Sequence, residues 1–140
     1  MKTILTSYSV NSKAIRTVRF NVFVEEQGVP AENEMDERDE VCIHALSFSR
    51  KGNPIATGRL DHGQGGKIGR VAVLAEYRGK GLGRQIMDQL EQAARMKGLE
   101  QVKLHAQTSA LDFYRKLGYQ EEGEEFMEEN IPHLIMRKRL

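Results

Sequence analysis

The stretch Val71-Ala-Val-Leu-Ala-Glu-Tyr-Arg-Gly-Lys-Gly-Leu-Gly-Arg-Gln-Ile-Met-Asp-Gln-Leu-Glu-Gln-Ala-Ala-Arg-Met-Lys-Gly98 opens as an apolar β-type run, passes through a glycine-rich turn and ends in an amphipathic helix. The turn sets Arg78 and Lys80 beside Gly79, Gly81 and Gly83. The first N–H groups of a helix have no partner within it, and the helix dipole is positive at that end. Glycine carries no Cβ, so its backbone can approach a ligand closely. The physical expectation is an anion site, for a phosphate or pyrophosphate. Beyond the turn, Leu82, Ile86, Leu90 and Ala94 form an i, i+4 stripe that Met87 and Ala93 broaden, with Arg84, Asp88, Glu91 and Arg95 on the other side. Gly98 ends the helix, and Val102 to Ala106 reads as a strand. Residues 71–106 are therefore a β-α-β unit with parallel pairing.

Upstream, residues 3–10 alternate as a first strand. Asn11 or Ser12 can cap a helix whose Ile15, Val18, Val22 and Phe23 share one face, with Arg16 and Arg19 off it. Gly28 and Pro30 close it. Ala31 to Glu40 is acidic and reads as a solvated loop, a cation-recognising lip being the alternative. Val41–Ser49 and Ile55–Asp61 form a hairpin about Lys51-Gly52-Asn53-Pro54. Gly63-Gln64-Gly65-Gly66 is a second hairpin loop, and Ile68–Leu74 leads back to the opening stretch. Downstream, Thr108 or Ser109 caps a short helix bearing Leu111, Phe113, Tyr114 and Leu117, ended by Gly118. Tyr119 starts a further strand, the acidic Glu121–Glu129 reads as a loop, and Ile131–Lys138 as a last strand. The whole predicts one α/β domain over residues 1–140, with a mixed central sheet of six to seven strands and three to four helices.

Composition is ordinary for a globular chain: 39% hydrophobic, 29% charged and a formal net charge of +1. No global field points to nucleic acid or an acidic membrane, and no apolar run approaches the ~20 residues of a membrane span. The N-terminus lacks the sustained apolar segment of a signal peptide. The lone Cys42 excludes an internal disulfide and suits a reducing cytoplasm, where we expect the protein to work. Flanked by Val41 and Ile43, it reads as a buried thiol rather than a nucleophile. His62 and His133 show no spacing for a metal, and none is expected.

Two phosphate motifs fail against the glycine turn. A P-loop needs Ser or Thr after Gly-Lys, and neither Gly66-Lys67 nor Gly79-Lys80 provides it. The dinucleotide fingerprint needs a third glycine where Arg84 or Ile86 stands. What remains is Arg78-x-x-Gly81-x-Gly83 after a strand. This pattern resembles the coenzyme A pyrophosphate loop of the GNAT superfamily of N-acetyltransferases. Phe113-Tyr114-Arg115-Lys116-Leu117-Gly118-Tyr119 is similar to that family's second acetyl-coenzyme A signature. Arg19-Phe20-Asn21-Val22-Phe23-Val24-Glu25-Glu26-Gln27-Gly28-Val29-Pro30, then Asp36, Asp39 and His44, resembles the ElaA-type branch, as do Gly69–Val73 and Ala106-Gln107.

The resemblance implies acetyl-coenzyme A as co-substrate, its pyrophosphate on the N–H groups of Gly79, Lys80, Gly81, Leu82, Gly83 and Arg84, with Arg78 and Lys80 adding charge. Val71, Ala72 and Val73 would pair backbone-to-backbone with the pantetheine arm, and Gln107 joins the coenzyme contacts. It also implies splayed central strands, which residue patterns alone do not show. Tyr114 matches the family's general acid, a phenol protonated at neutral pH; its alternative is a core aromatic beside Phe113. For the base the resemblance offers Glu26 first and His44 second, with a structural hydrogen bond or a relaying water as alternatives. His105 can line the thioester pocket or sit in core or edge. The expected function is acetyl transfer to a primary amine of a small molecule or peptide. A non-catalytic acyl-coenzyme A-binding module is the contrasting reading, and relatives of this kind suggest a homodimer.

Overall fold

The computed structural model describes residues 1–140. Its strands are β1 (Lys2–Ser7), β2 (Ile43–Phe48), β3 (Pro54–Asp61), β4 (Lys67–Val73), β5 (Gln101–Gln107), β6 (Gln120–Glu128) and β7 (Ile131–Arg139). Its helices are α1 (Tyr8–Arg19), α2 (Ala31–Glu34), α3 (Leu82–Met96) and α4 (Leu111–Lys116). All seven strands join one sheet in the order β1-β2-β3-β4-β5-β7-β6. Every neighbouring pair is antiparallel except β4 and β5, which run parallel around α3.

The stripe on α3 does what its spacing predicts. Leu82, Ile86, Met87, Leu90, Ala93 and Ala94 are buried with Ile55, Leu60, Ile68, Val102 and Leu104 of the sheet. The close approach is set at Gly58, where a Cβ would lie 2.7 Å from an Ile86 methyl. On the opposite face Val18 of α1 and Val22 just past its end pack on Ala72. Past Arg19 its chain widens into π-type turns, Phe20–Glu26, before Gly28 ends it with φ 75°.

Several expectations are corrected. The first strand stops at Ser7; Tyr8–Val10 is already helical, and Asn11, non-helical at φ −127°, marks the kink where the amphipathic part begins. Its side chain donates to Thr6 Oγ1 instead of capping. The acidic segment after Tyr119 is a strand, not a loop. It escapes notice because β6 is an edge strand exposed along nearly its whole length, so no apolar period marks it, and pairing with the basic β7 holds it. There Arg137 Nε donates to Glu122 at 2.6 Å, just before a bulge between Glu122 and Phe126. Glu91 is not on a solvated face either. It is buried under α3, where its carboxylate accepts from the Tyr119 hydroxyl and from Lys138 Nζ, each at 2.8 Å.

The stretch 31–40 is neither a solvated loop nor a free lip. Glu34 and Asp39 are buried counter-charges for the equally buried Arg19, and Asp36 and Asp39 both bind Arg59. Against the downward push of burial, these carboxylates hold the Arg19 guanidinium charged. Asp36 accepts two hydrogen bonds from Arg59, at 2.7 and 2.9 Å, which draw its pKa down to about 2. The loop is thereby riveted to β3 and β4.

Candidate active site

β4 and β5 touch only at their beginnings. Lys67 pairs with Lys103 and Ile68 with Leu104, and no later pair follows. On its other edge β4 carries one extra residue between the pairs Arg59↔Gly69 and Thr57↔Ala72. Such a bulge bends a strand and raises its twist. Arg70 lies within it at φ 53°, a left-handed conformation uncommon for a side-chain-bearing residue. Beyond it the two strands part around a cavity of about 1010 Å³, at the upper end of the ~300–1,000 Å³ typical of small-molecule sites. The splay the resemblance implies is thus present.

Val71, Ala72 and Val73 line the cavity along the β4 edge that has lost its partner, and His105 and Gln107 line it from β5. Gly79, Gly81, Gly83 and Arg84 also border it. Gly81 caps α3 at φ 81° with no side-chain hydrogen bond, and the first i→i−4 bond is Gln85 N–H to Gly81 C=O at 3.1 Å. The N–H groups of Leu82, Gly83 and Arg84 thus precede the helical ladder, as an anion seat requires. Gly83 is small for a different reason. A Cβ there would stand 3.0 Å from Phe113 Cζ, so this glycine lets the aromatic pair of α4 pack against the start of α3.

The cations around this turn are arranged otherwise than expected. Arg78 donates through Nη1 and Nη2 to the two carboxylate oxygens of Glu26, both at 2.7 Å, and through Nε to Val73 C=O at 3.0 Å. It therefore ties the end of the π-turned segment to β4. Lys80 points over the Tyr77 ring, 5.5 Å from its centroid, and does not line the cavity. Arg84 does line it, and it forms no ion pair.

The bases named from the resemblance are both engaged. The hydrogen bonds from Arg78 hold the Glu26 carboxyl below its usual range, so it resists taking a proton. His44 is 1% exposed, bonds through Nε2 to Asp39 C=O at 2.8 Å, and is absent from the cavity wall; burial lowers its pKa. Tyr114 does reach the cavity. Burial pushes its phenol up to about 12, and its hydroxyl makes no hydrogen bond within the protein although it is not sealed from the cavity. Phe113 steadies the ring edge-on, 4.9 Å between centroids. Cys42 is buried, with its thiol pushed up to about 11 by that burial, and stands apart from the cavity.

Residue patterns missed Glu128 and His133, which line the cavity beside His105. His105 Nδ1 lies 2.9 Å from Glu128 Oε1, and His133 Nε2 lies 3.7 Å from Glu128 Oε2. The available signal was Glu129-Asn130, both at positive φ (52° and 60°). Two residues in that conformation form the tight hairpin turn that joins strands, and Asn favours it.

A family model described as "Acetyltransferase (GNAT) domain" matches residues 10–140. The chain belongs to the GNAT family. Among solved structures, an acyl-CoA N-acyltransferase from Pseudomonas aeruginosa superposes at TM-score 0.86 with 30% identity, covering 99% of each chain. Escherichia coli ElaA superposes at TM-score 0.87 with 26% identity, again over 99% of each. Bacillus subtilis YjcF, named as an uncharacterized N-acetyltransferase, is 40% identical over 140 residues, 99% of both proteins. The likeness to ElaA agrees with the branch that Arg19–Pro30 resembles. This GNAT protein is an N-acetyltransferase, and the family draws its acyl group from acyl-coenzyme A. The open edge of β4, the unladdered N–H groups of α3 and the cavity between them fit such a thioester.

Proposed function

We propose that this GNAT enzyme transfers an acetyl group from acetyl-coenzyme A directly to a primary amine on a small molecule or a peptide. The observation that carries this reading is Tyr114, which lines the cleft between β4 and β5 and whose hydroxyl makes no hydrogen bond within the protein. A structural tyrosine at this depth satisfies its hydroxyl, as Tyr119 does on Glu91. Tyr114 keeps its proton through the neutral range and can give it to a departing thiolate.

In this reading the pyrophosphate rests on the N–H groups at the start of α3, with Arg84 beside it. The pantetheine amides pair with the backbone of Val71 and Ala72 where β5 has withdrawn. The carbonyl is then presented at the parting of the strands. The amine attacks it, the C–S bond breaks, and sulfur takes the Tyr114 proton. No covalent enzyme intermediate is needed, and Cys42 stands outside the cavity.

Release of coenzyme A thiol from acetyl-coenzyme A, followed across a panel of alkyl amines, amino acids and short peptides, tests this directly. Turnover on at least one amine, with a mass gain of one acetyl group on that amine, is the expected result. Tight coenzyme A binding without turnover on any amine would overturn the reading.

A further inference from the structure

We propose that His105, oriented by Glu128, is the base that takes the proton from the acceptor's ammonium group. The proposal rests on the amine-acetylating reading above and fills the role which that reading leaves unassigned.

The position is specific. Leu104 makes the last pair with β4, so His105 is the first residue of β5 past the parting of the strands. Leu104 turns into the α3 side of the sheet. By strand alternation His105 and Gln107 face the α1 side, where Gln107 Nε2 donates to Gln27 Oε1 at 2.9 Å. Tyr114 belongs to the core on the α3 side. Acid and base therefore reach the cavity from opposite faces of the sheet, so the base does not simply strip the acid.

The imidazole is also prepared for the task. An ionised carboxylate only accepts hydrogen bonds, so Glu128 Oε1, 2.9 Å away, keeps the proton on Nδ1. Nε2 is left with the lone pair, and it has no hydrogen-bond partner in the protein although it is not sealed from the cavity. Phe126 stands edge-on to the ring, 83° between planes, and limits its rotation. A base held by a carboxylate on its far nitrogen is the arrangement that activates nucleophiles generally. The charged and titratable groups around the pair are Glu129 at the β6 turn, His133 on β7, and Lys67 and Arg70 on β4. The carboxylate of Glu128 offsets the positive charge the ring acquires.

The step balances as follows. Nε2 of His105 takes one proton from R–NH₃⁺. The nitrogen lone pair then forms the C–N bond at the thioester carbonyl, and the C–S electron pair leaves with sulfur. Sulfur takes the phenolic proton of Tyr114, and the second proton lost by nitrogen returns to that oxygen through solvent. The proton on His105 goes to solvent, so R–NH₃⁺ and the thioester give the amide, the thiol and H⁺.

The test uses wild type, His105→Ala, His105→Gln and Glu128→Gln with the best alkyl amine from the thiol-release screen. An acyl hydrazide of matching shape, unprotonated at neutral pH, serves as second acceptor. We expect kcat/KM for the amine to fall about 10²–10⁴-fold in both His105 variants, the range of a lost acid–base group. The loss should be less than about tenfold for the hydrazide, and coenzyme A affinity and melting temperature should stay unchanged. Imidazole should restore part of the His105→Ala rate, and Glu128→Gln should lose less than either. Equal losses on both acceptors, without rescue, would make His105 structural and overturn the proposal. Unimpaired amine turnover in the His105 variants would do so as well. Wild-type inactivity on every amine would instead defeat the underlying functional reading.

Discussion

Tyr114 and Tyr119 sit close together, ring centroids 5.8 Å apart, yet removing one hydroxyl should cost activity and removing the other stability. The Tyr119 hydroxyl donates to buried Glu91 at 2.8 Å, with Lys138 on the other carboxylate oxygen. A hydrogen bond to a charged group contributes about 1.5–3 kcal/mol. Because Lys138 still neutralises Glu91 in Tyr119→Phe, the lower end applies, about 1.5–2 kcal/mol. At about 2–4 °C per kcal/mol for a chain near this size, the melting temperature should drop by roughly 3–8 °C. The Tyr114 hydroxyl has no protein partner, so Tyr114→Phe strands nothing and should alter stability by less than about 0.5 kcal/mol. Its turnover should nevertheless fall about 10²–10⁴-fold with coenzyme A affinity retained. Thermal melts by circular dichroism and thiol-release kinetics on both variants read the two quantities separately. Comparable melting losses, or full turnover in Tyr114→Phe, would refute the division of labour.

Other substitutions probe the scaffold. Arg19→Met should destabilise by about 3 kcal/mol in urea titrations, the lower end of the cost of breaking a buried pair, because Glu34 and Asp39 lose Arg19 but keep Arg70 and Arg59. Asp36→Asn tests the acid limb of stability. Arg59 depresses the Asp36 pKa to about 2, so its stabilisation is complete above the unfolded value near ~3.9 and fades as pH falls toward 2. The stability gap between wild type and variant should accordingly be constant above about pH 5 and close below it; a gap that widens on acidification would contradict this. Gly81→Ala, forced to φ 81°, should cost about 1–2 kcal/mol and weaken coenzyme A binding in a calorimetric titration. Glu26→Gln should change stability by less than about 1 kcal/mol, since the pair with Arg78 is largely exposed, and should tighten coenzyme A binding by freeing the Arg78 charge. Weaker binding would mean that the pair positions the loop.

The β-α-β unit, the α3 stripe, the glycine turn and Tyr114 were legible because each is a local matter. A helix face is a period of 3.6 residues, a turn needs glycine within a few positions, and a phenol's neighbours in sequence are its neighbours on α4. The cluster of His105 and Glu128 was not legible in the same way. His105 was visible only as a residue of undecided place, while Glu128 lay in a segment whose acidity hid a strand. Glu26 and Arg78 lie far apart in sequence, and nothing local announces that each occupies the other.

The order of residues by itself determined the fold class, the glycine turn and the family, since these depend on spacing along one segment at a time. Only the tertiary structure decided which charges are free. Burial and cross-chain pairing commit Arg19, Glu34, Asp39 and Arg59 to one another and fasten Glu26 to Arg78. A bulge at Arg70 opens β4 from β5, and a hairpin turn at Glu129-Asn130 brings Glu128 to His105. The energy of an ionisable group depends on what surrounds it in space, which the chain settles only when it closes on itself.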